Sequence, residues 1–371
     1  SLKSNSVVPA TASVTHLNTV SKVLFILCVI MNGNNFPLRK VDEDVNRELL
    51  YSYKGERTGW YWYGPKKYLM PSVYNDVCNK YFNFKTRSDD IWIVTFPRSG
   101  TTLTQELVWL LTHNLDYETA KQINLWDRSP FLEFECFMHP EMKQIFLNAN
   151  IGNIDNQNIV HKLGESACDK LKDMPSPRII KTHLPISMLP TDIKTTKPKI
   201  IYVARNPKEV ALSFYHLIRL WRTSDYQDHF QKFIEQFQKG LVFTGPYWEH
   251  IKEGWKMKDD ENLLFLFYED MVKNMKAAIH KIAEFLSINI SEKDVEMLAD
   301  FVDIKNFKCN PAVNFEKLRE VGIWNKGEES FIRQGMSRGD GKEYNDEILE
   351  NFNNWIENNS KLININFPPK N

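Results

Sequence analysis

The chain has 371 residues, enough for one large domain or two small ones with a real core. Apolar residues make up 42% and charged residues 25%, and 47 Lys plus Arg balance 47 Asp plus Glu. Zero net charge on an ordinary globular composition argues against a dedicated nucleic-acid or anionic-membrane binder, though not against a locally basic pocket. The five cysteines, Cys28, Cys78, Cys136, Cys168 and Cys309, are odd in number and lack CxxC spacing. They read as reduced thiols in a cytosolic protein, not as a disulfide framework or zinc site.

Residues 1–22 show no usable period, and the apolar run "VLFILCVIM" (23–31) follows them. A spanning helix needs about 20 apolar residues, which this run does not reach, and the flanks of a signal peptide are missing. Residues 1–30 are therefore expected to be a disordered extension, and residues 31–371 a single domain. Along that domain, apolar runs of strand length alternate with helical patterns. "IWIVTF" (91–96) precedes a helix carrying Leu103, Leu107, Leu110 and Leu111. "RIIKTHL" (178–184) is strand then loop, and "KIIYVA" (199–204) precedes a helix with Val210, Phe214 and Leu217. "LLFLFY" (263–268) precedes one helix over 271–286, and "SEKD" (291–294) has the form of a capping box. Between 113 and 177 no period is clear. Continuously apolar strands alternating with helices predict an α/β fold with a central parallel sheet and helices on both faces.

In such sheets ligands sit beyond the carboxyl ends of the strands. After the first strand come Arg98, Ser99, Gly100, Thr101 and Thr102, a P-loop-like turn into a helix N-terminus, where free N–H groups favour an anion. The Walker lysine is absent, and the same letters also suit a plain helix start capped by Thr102 and Gln105. After the second strand come Lys181 and His183, a cation and a base two residues apart, although a lone His beside Pro185 also suits a purely structural role. After the third come Arg205 and, two turns on, Ser213, which suit a second phosphate or a surface ion pair with Glu209. Two anion sites, one base and no HExxH or Walker Asp–Mg²⁺ pattern fit a nucleotide phosphorylated at both ends of its ribose, with no metal.

Five blocks then carry a resemblance: "TFPRSGTT", "KTHLP", "YVARNPKEVALSFYH", "FLFYEDM" and "FIRQG", in that order. Together they resemble the cytosolic sulfotransferases, and the stretches "SGTTLTQELVWLL", "AVNFEKLREVGI" and "FIRQG" resemble an insect branch that includes retinol dehydratase. The resemblance implies a cytoplasmic enzyme that moves a sulfuryl group from 3′-phosphoadenosine 5′-phosphosulfate to a hydroxyl of a small apolar acceptor. It implies His183 as general base, Lys181 beside the sulfuryl oxygens, and Arg98 in place of the family's usual Lys. Ser99, Gly100, Thr101 and Thr102 would wrap the 5′-phosphate, and Arg205 and Ser213 would take the 3′-phosphate. Tyr268 would lie near the adenine, and Arg333, Gln334 and Gly335 would form a phosphate strap. The chain departs from the pattern at Leu103 and Ile304, where the family stacks aromatics on adenine, and at Val302 and Gln334. Arg338 is a candidate substitute for the strap's missing cation. The family's dimer motif is not intact after Lys342, which leaves a homodimer open. Two other readings stay open: a dehydratase of a polyene alcohol acting through a transient sulfate ester, and a catalytically impaired relative that binds nucleotide or lipophile.

Overall fold

A computed structural model describes residues 30–32, 36–333 and 343–369. The extension expected over 1–30, apart from Ile30, lies outside the described residues, as do Gln334, Gly335, Arg338 and Lys342. Four short strands come first: β1 (Ile30–Asn32), β2 (Phe36–Lys40), β3 (Trp60–Tyr63) and β4 (Tyr68–Pro71). They pair antiparallel in chain order, and no pattern in the sequence announces them. The aromatic-rich runs of β3 and β4 lack a clean polar–apolar alternation, because part of the outer face is also covered. Backbone bonds tie this sheet to a distant segment: Leu69 N–H donates to the Gly245 carbonyl, and Thr244 N–H to that of Leu69, both at 3.0 Å.

The second sheet is the expected one. β5 (Ile91–Thr95), β6 (Ile179–Thr182), β7 (Lys199–Ala204) and β8 (Leu263–Phe267) run parallel in the order β6-β5-β7-β8. Side chains alternate between two buried faces, which explains runs without polar breaks. Trp92, Val94, Ile180 and Tyr202 pack on one side with Phe214 and Val210. Ile91, Ile93, Ile179 and Ile201 pack on the other with Leu107, Leu110 and Ile279. Those partners belong to helices α1 (Thr101–Thr112), α2 (Pro207–Leu220) and α3 (Met275–Leu286). A buried ion pair joins the other end of the sheet, with Arg178 donating from Nε and Nη2 to Asp90 at 2.6 Å each.

Two local expectations change. The helix expected over 271–286 is two, Tyr268–Lys273 and α3, broken at Asn274. Asn274 leaves helical geometry and caps the second helix, accepting from Ala277 N–H at 3.1 Å; an Asx side chain that bonds ahead competes with continuing the helix. The box at 291–294 is half made. Ser291 caps Asp294 N–H at 3.2 Å, but its hydroxyl binds the Asp294 carboxylate, leaving no reach back to the Ser291 N–H. Residues 113–177 form a series of short helices, among them Tyr117–Gln122, Pro140–Ala149 and Ile154–Leu163. None is long enough to show a period.

Candidate active site

The register of the parallel sheet brings the strand ends level: Val94 lies beside Thr182, Thr95 beside Val203, and Ala204 beside Phe267. β5 has β6 on one side and β7 on the other, so the crevice of a topological switch opens at its end. There Arg98 and Gly100 adopt left-handed backbone, with φ of 70° and 98°, and turn the chain into α1. Gly100 is required twice over. Its φ suits no other residue as well, and a Cβ would stand 2.5 Å from Cδ2 of Tyr268. Gln105 does not cap α1; its amide donates to the carbonyl and hydroxyl oxygens of Ser129, both at 3.0 Å.

Three arginines converge on the loop. Arg98 donates from Nε to the Ser213 hydroxyl at 2.8 Å and from Nη2 to the Phe331 carbonyl at 3.0 Å. Arg205 donates to the Arg98 carbonyl at 3.0 Å, and its guanidinium lies 4.5 Å from the centre of the Tyr268 ring. The ion pair with Glu209 is present at 3.6 Å, but it is no surface contact: Arg205 is only 9% exposed. Its Nε is buried with no partner among the described residues. Burial, then the charges of Arg205 and Arg333, push the Arg98 guanidinium down to about 9. Like charges gathered in a low-dielectric crevice call for a polyanion.

Lys181 and His183 face the crevice from β6 and the residue beyond it. Alternate residues of an extended strand share a face, so both side chains project the same way. His183 Nδ1 lies 2.9 Å from the Thr95 carbonyl oxygen. A carbonyl only accepts, so Nδ1 carries the hydrogen and Nε2 keeps a lone pair. Burial, followed by the Lys181 charge, holds the His183 imidazole well below its ordinary value. It is therefore neutral at neutral pH, with a basic nitrogen available. Lys181 Nζ sits 4.1 Å from the centre of the Phe131 ring, and burial pushes its ammonium down to about 8.

One cavity of about 1060 Å³ gathers these groups. Arg98, Gly100, Thr101, Thr102, Lys181, His183, Arg205, Ser213, Tyr268 and Arg333 all line it. Ser99 does not; it is fully buried, and its hydroxyl has no partner among the described residues. At one end the walls are Leu103, Val302, Ile304 and Phe307, with the Tyr268 ring packed against Gly100 of the phosphate loop. At the other they are aromatic: Trp60, Phe131, Phe134, Phe137, Trp221 and Phe243. Three residues near His183 went unnoticed in the sequence. Thr95 bridges the loop and the base, its hydroxyl 2.7 Å from that of Thr101 and 3.1 Å from His183 Nδ1. His250 lies below, with Nε2 donating to the His183 carbonyl at 2.9 Å and Nδ1 receiving the Tyr202 hydroxyl at 2.6 Å. Glu133 accepts from the His183 N–H. Thr95 stood inside a recognised block; Glu133 and His250 carry no local signal.

A family model described as "Sulfotransferase domain" matches residues 88–364. The chain belongs to the sulfotransferase family. Sulfotransferase 1A1 of Canis lupus familiaris is 33% identical over 260 residues, covering 70% of this chain and 79% of that protein. Sulfotransferase 1E1 of Bos taurus is 33% identical over 288 residues, 77% and 88% of the two. Among solved structures, retinol dehydratase in a complex with retinol and PAP is similar at a TM-score of 0.83. It is 32% identical and covers 90% of this chain and 99% of that one. A second structure of retinol dehydratase, with androsterone and inactive cofactor PAP, matches equally well. The expected fold, family and sulfotransferase activity are borne out. Among the described residues no helix is long and apolar enough to cross a membrane.

Proposed function

We propose that this sulfotransferase uses 3′-phosphoadenosine 5′-phosphosulfate as donor and a hydroxyl of a small, apolar acceptor, with His183 as general base. The observation that carries the reading is the His183 tautomer. Nδ1–H is spent on the Thr95 carbonyl, which leaves Nε2 as the proton acceptor beside Lys181 in a cavity shared with the phosphate loop. The unpartnered, buried Arg205 Nε supports a phosphate there, since an arginine donor left without an acceptor is costly.

The donor supplies an activated sulfuryl group and leaves as the 3′,5′-diphosphate. Gly100, Thr101 and Thr102 would hold its 5′-phosphate with backbone N–H groups and hydroxyls, joined by the Ser99 N–H alone, given where its side chain lies. Arg205 and Ser213 would hold the 3′-phosphate, with Arg333 and, outside the described residues, Gln334 and Gly335. Tyr268 would flank the adenine across aliphatic walls. His183 takes the acceptor's hydroxyl proton at Nε2 while Lys181 and Arg98 offset charge on the oxygens around the transferred group. Positioning and electrostatics then supply most of the rate. The reading includes residues 31–371 as one working domain in the cytosol, with no nucleic-acid or membrane partner and a homodimer left open.

His183→Ala should lower kcat by two orders of magnitude or more, about the range of general base catalysis, with binding of the 3′,5′-diphosphate unchanged. Wild-type turnover would remove His183 from the chemistry. A second reading is dehydration of a polyene alcohol, in which the sulfate ester made by the transfer leaves as sulfate and the carbon chain gives up a proton, supported by the 0.83 TM-score to retinol dehydratase. Chromatography of the products from a polyene alcohol and labelled donor separates a sulfated product from an anhydro one.

A further inference from the structure

The segment "PFLE" (130–133) belongs to the stretch where no period was legible, yet it lies along the catalytic strand end like an extra edge strand. Lys181 N–H donates to the Pro130 carbonyl and Leu132 N–H to the Lys181 carbonyl, each at 2.9 Å. Phe131 sits between the two functional side chains: the Lys181 ammonium is over its ring, and the His183 ring meets it edge-on at 5.0 Å. Glu133 completes the clamp. One carboxylate oxygen accepts from the His183 N–H at 2.6 Å, the other from the Thr182 hydroxyl at 2.8 Å. Thr182 in turn accepts from Leu184 N–H at 3.0 Å. Glu133 is fully buried, and its carboxylate is held by donors from residues 182 and 183.

A fully buried carboxylate is costly unless it is both bonded and balanced. Two neutral donors satisfy its geometry without cancelling its charge. The cation that does so electrostatically is Lys181, whose protonation Glu133 favours. Lys181 is faced by Glu133 from this segment, by Arg98 from the loop after β5, and by His183 on its own strand end. Arg98 and burial act to strip its proton; Glu133 alone of these opposes them.

We propose that Glu133 is a positioning residue of the transfer reaction, holding the main chain at residues 182 and 183 so that His183 faces the acceptor and supplying the buried counter-charge for Lys181. It touches neither substrate. Its effect is exerted through the two residues that do, so the inference rests on the catalytic reading given to Lys181 and His183 above.

The test is the pH profile of kcat/KM in Glu133→Gln, run beside His183→Ala. Glutamine keeps the shape: its oxygen still accepts from His183 N–H, and its amide can donate to the Thr182 hydroxyl. The charge goes, and the Thr182 hydroxyl loses the oxygen to which it donates. In the native enzyme the active form has Glu133 ionised, its carboxyl pushed up by burial to about 7, and Lys181 protonated, so activity falls as pH rises through about 8. Without the negative charge at 133 the ammonium loses its support, and that alkaline limb should move to lower pH by roughly one unit. At pH 7.5 kcat should fall about threefold, widening toward tenfold near about pH 9, with donor affinity unchanged, since only the transition state loses its cation. Glu133→Asp, which keeps charge and distorts geometry, should leave the limb in place. An unmoved limb in a folded Glu133→Gln, or a limb moved further by Asp than by Gln, overturns the counter-charge role. If Glu133→Gln does not fold, Thr182→Val removes one donor to the carboxylate and must shift the limb in the same direction; no shift overturns the proposal. Wild-type turnover in His183→Ala would sink the catalytic reading itself, whatever the limb does.

Discussion

Arg98, Lys181 and Arg205 stand at or within three residues of a strand end, whereas Trp60, Phe134 and Phe243 reach the same cavity from a hairpin, a short 3-10 turn and a loop. The first group is fixed by sheet register and helix N-termini. Those are devices that local sequence encodes in apolar runs, a glycine turn and charged residues just beyond. The second group meets only when segments remote in sequence fold together. An aromatic residue in such a segment has the same letters whether it faces a ligand or a core. Chemistry was therefore readable at the end of the cavity where backbone does the placing. Shape was not readable at the end where packing does.

That contrast can be broken by substitution. Arg205→Ala should have the largest effect on the charged end, because it removes the arginine whose buried Nε lacks a partner and which also holds the Arg98 carbonyl. Loss of charge-assisted bonds to a phosphate should cost about 2–3 kcal/mol, roughly a hundredfold in affinity for the 3′,5′-diphosphate by calorimetry. Adenosine 5′-phosphate, lacking the 3′-phosphate, should lose much less. Equal losses for both ligands would mean that Arg205 shapes the loop and does not bind.

Phe134→Ala probes the aromatic end more gently. Phe134 packs against Phe131, Phe137 and Trp221 on the cavity wall. Removing it should raise the acceptor KM about tenfold, on the order of 1.5 kcal/mol of lost apolar contact, and leave nucleotide affinity alone. A fall in nucleotide affinity of the same size would show that the two ends are one mechanical unit.

The smallest effect belongs to the N-terminus. A chain starting at Met31 gives up the Ile30–Leu38 pair of β1 and β2. Its melting temperature and activity should match the full chain, the difference staying within about 0.5 kcal/mol, as for changes away from buried features. A large loss of either would place residues 1–30 within the working domain.

Legibility follows the same physical line within the fold. All four parallel strands fell within a residue or two of their apolar runs, because β5 and β7 are buried on both faces, and β8 at the edge stays apolar although Leu264, Phe265 and Phe267 are half-buried. The antiparallel sheet was missed since its strands are short and carry no period of two. In "WYWY" the outer pair, Trp60 and Tyr63, is buried, and the inner pair, Tyr61 and Trp62, is half-buried. Lys181, His183 and Arg205 became candidates only when the strand ends were taken together, since a lone His or Arg at such a place also suits a structural role. Glu133 did not, because its meaning depends on a contact with residues 182 and 183 that no spacing in the sequence announces. His250 was hidden for a related reason, as it reaches His183 only through the packing of the helix Tyr247–Lys256 against the sheet.

The bonds between Leu69 and the pair Thr244 and Gly245 also bear on how the molecule is made. During synthesis, at about 5–20 residues per second, the aromatic hairpin leaves the ribosome long before the loop that covers it exists. Tyr68, Leu69 and Met70, all fully buried in the finished protein, stay exposed while the entire phosphate loop and three strands of the parallel sheet emerge. The wall that would grip the acceptor is thus closed late, by contacts of high sequence separation that form slowly. The charged end waits longer still, because Arg98 reaches the Phe331 carbonyl across 233 positions; on refolding from denaturant, nucleotide binding should therefore return no earlier than the closed acceptor cavity.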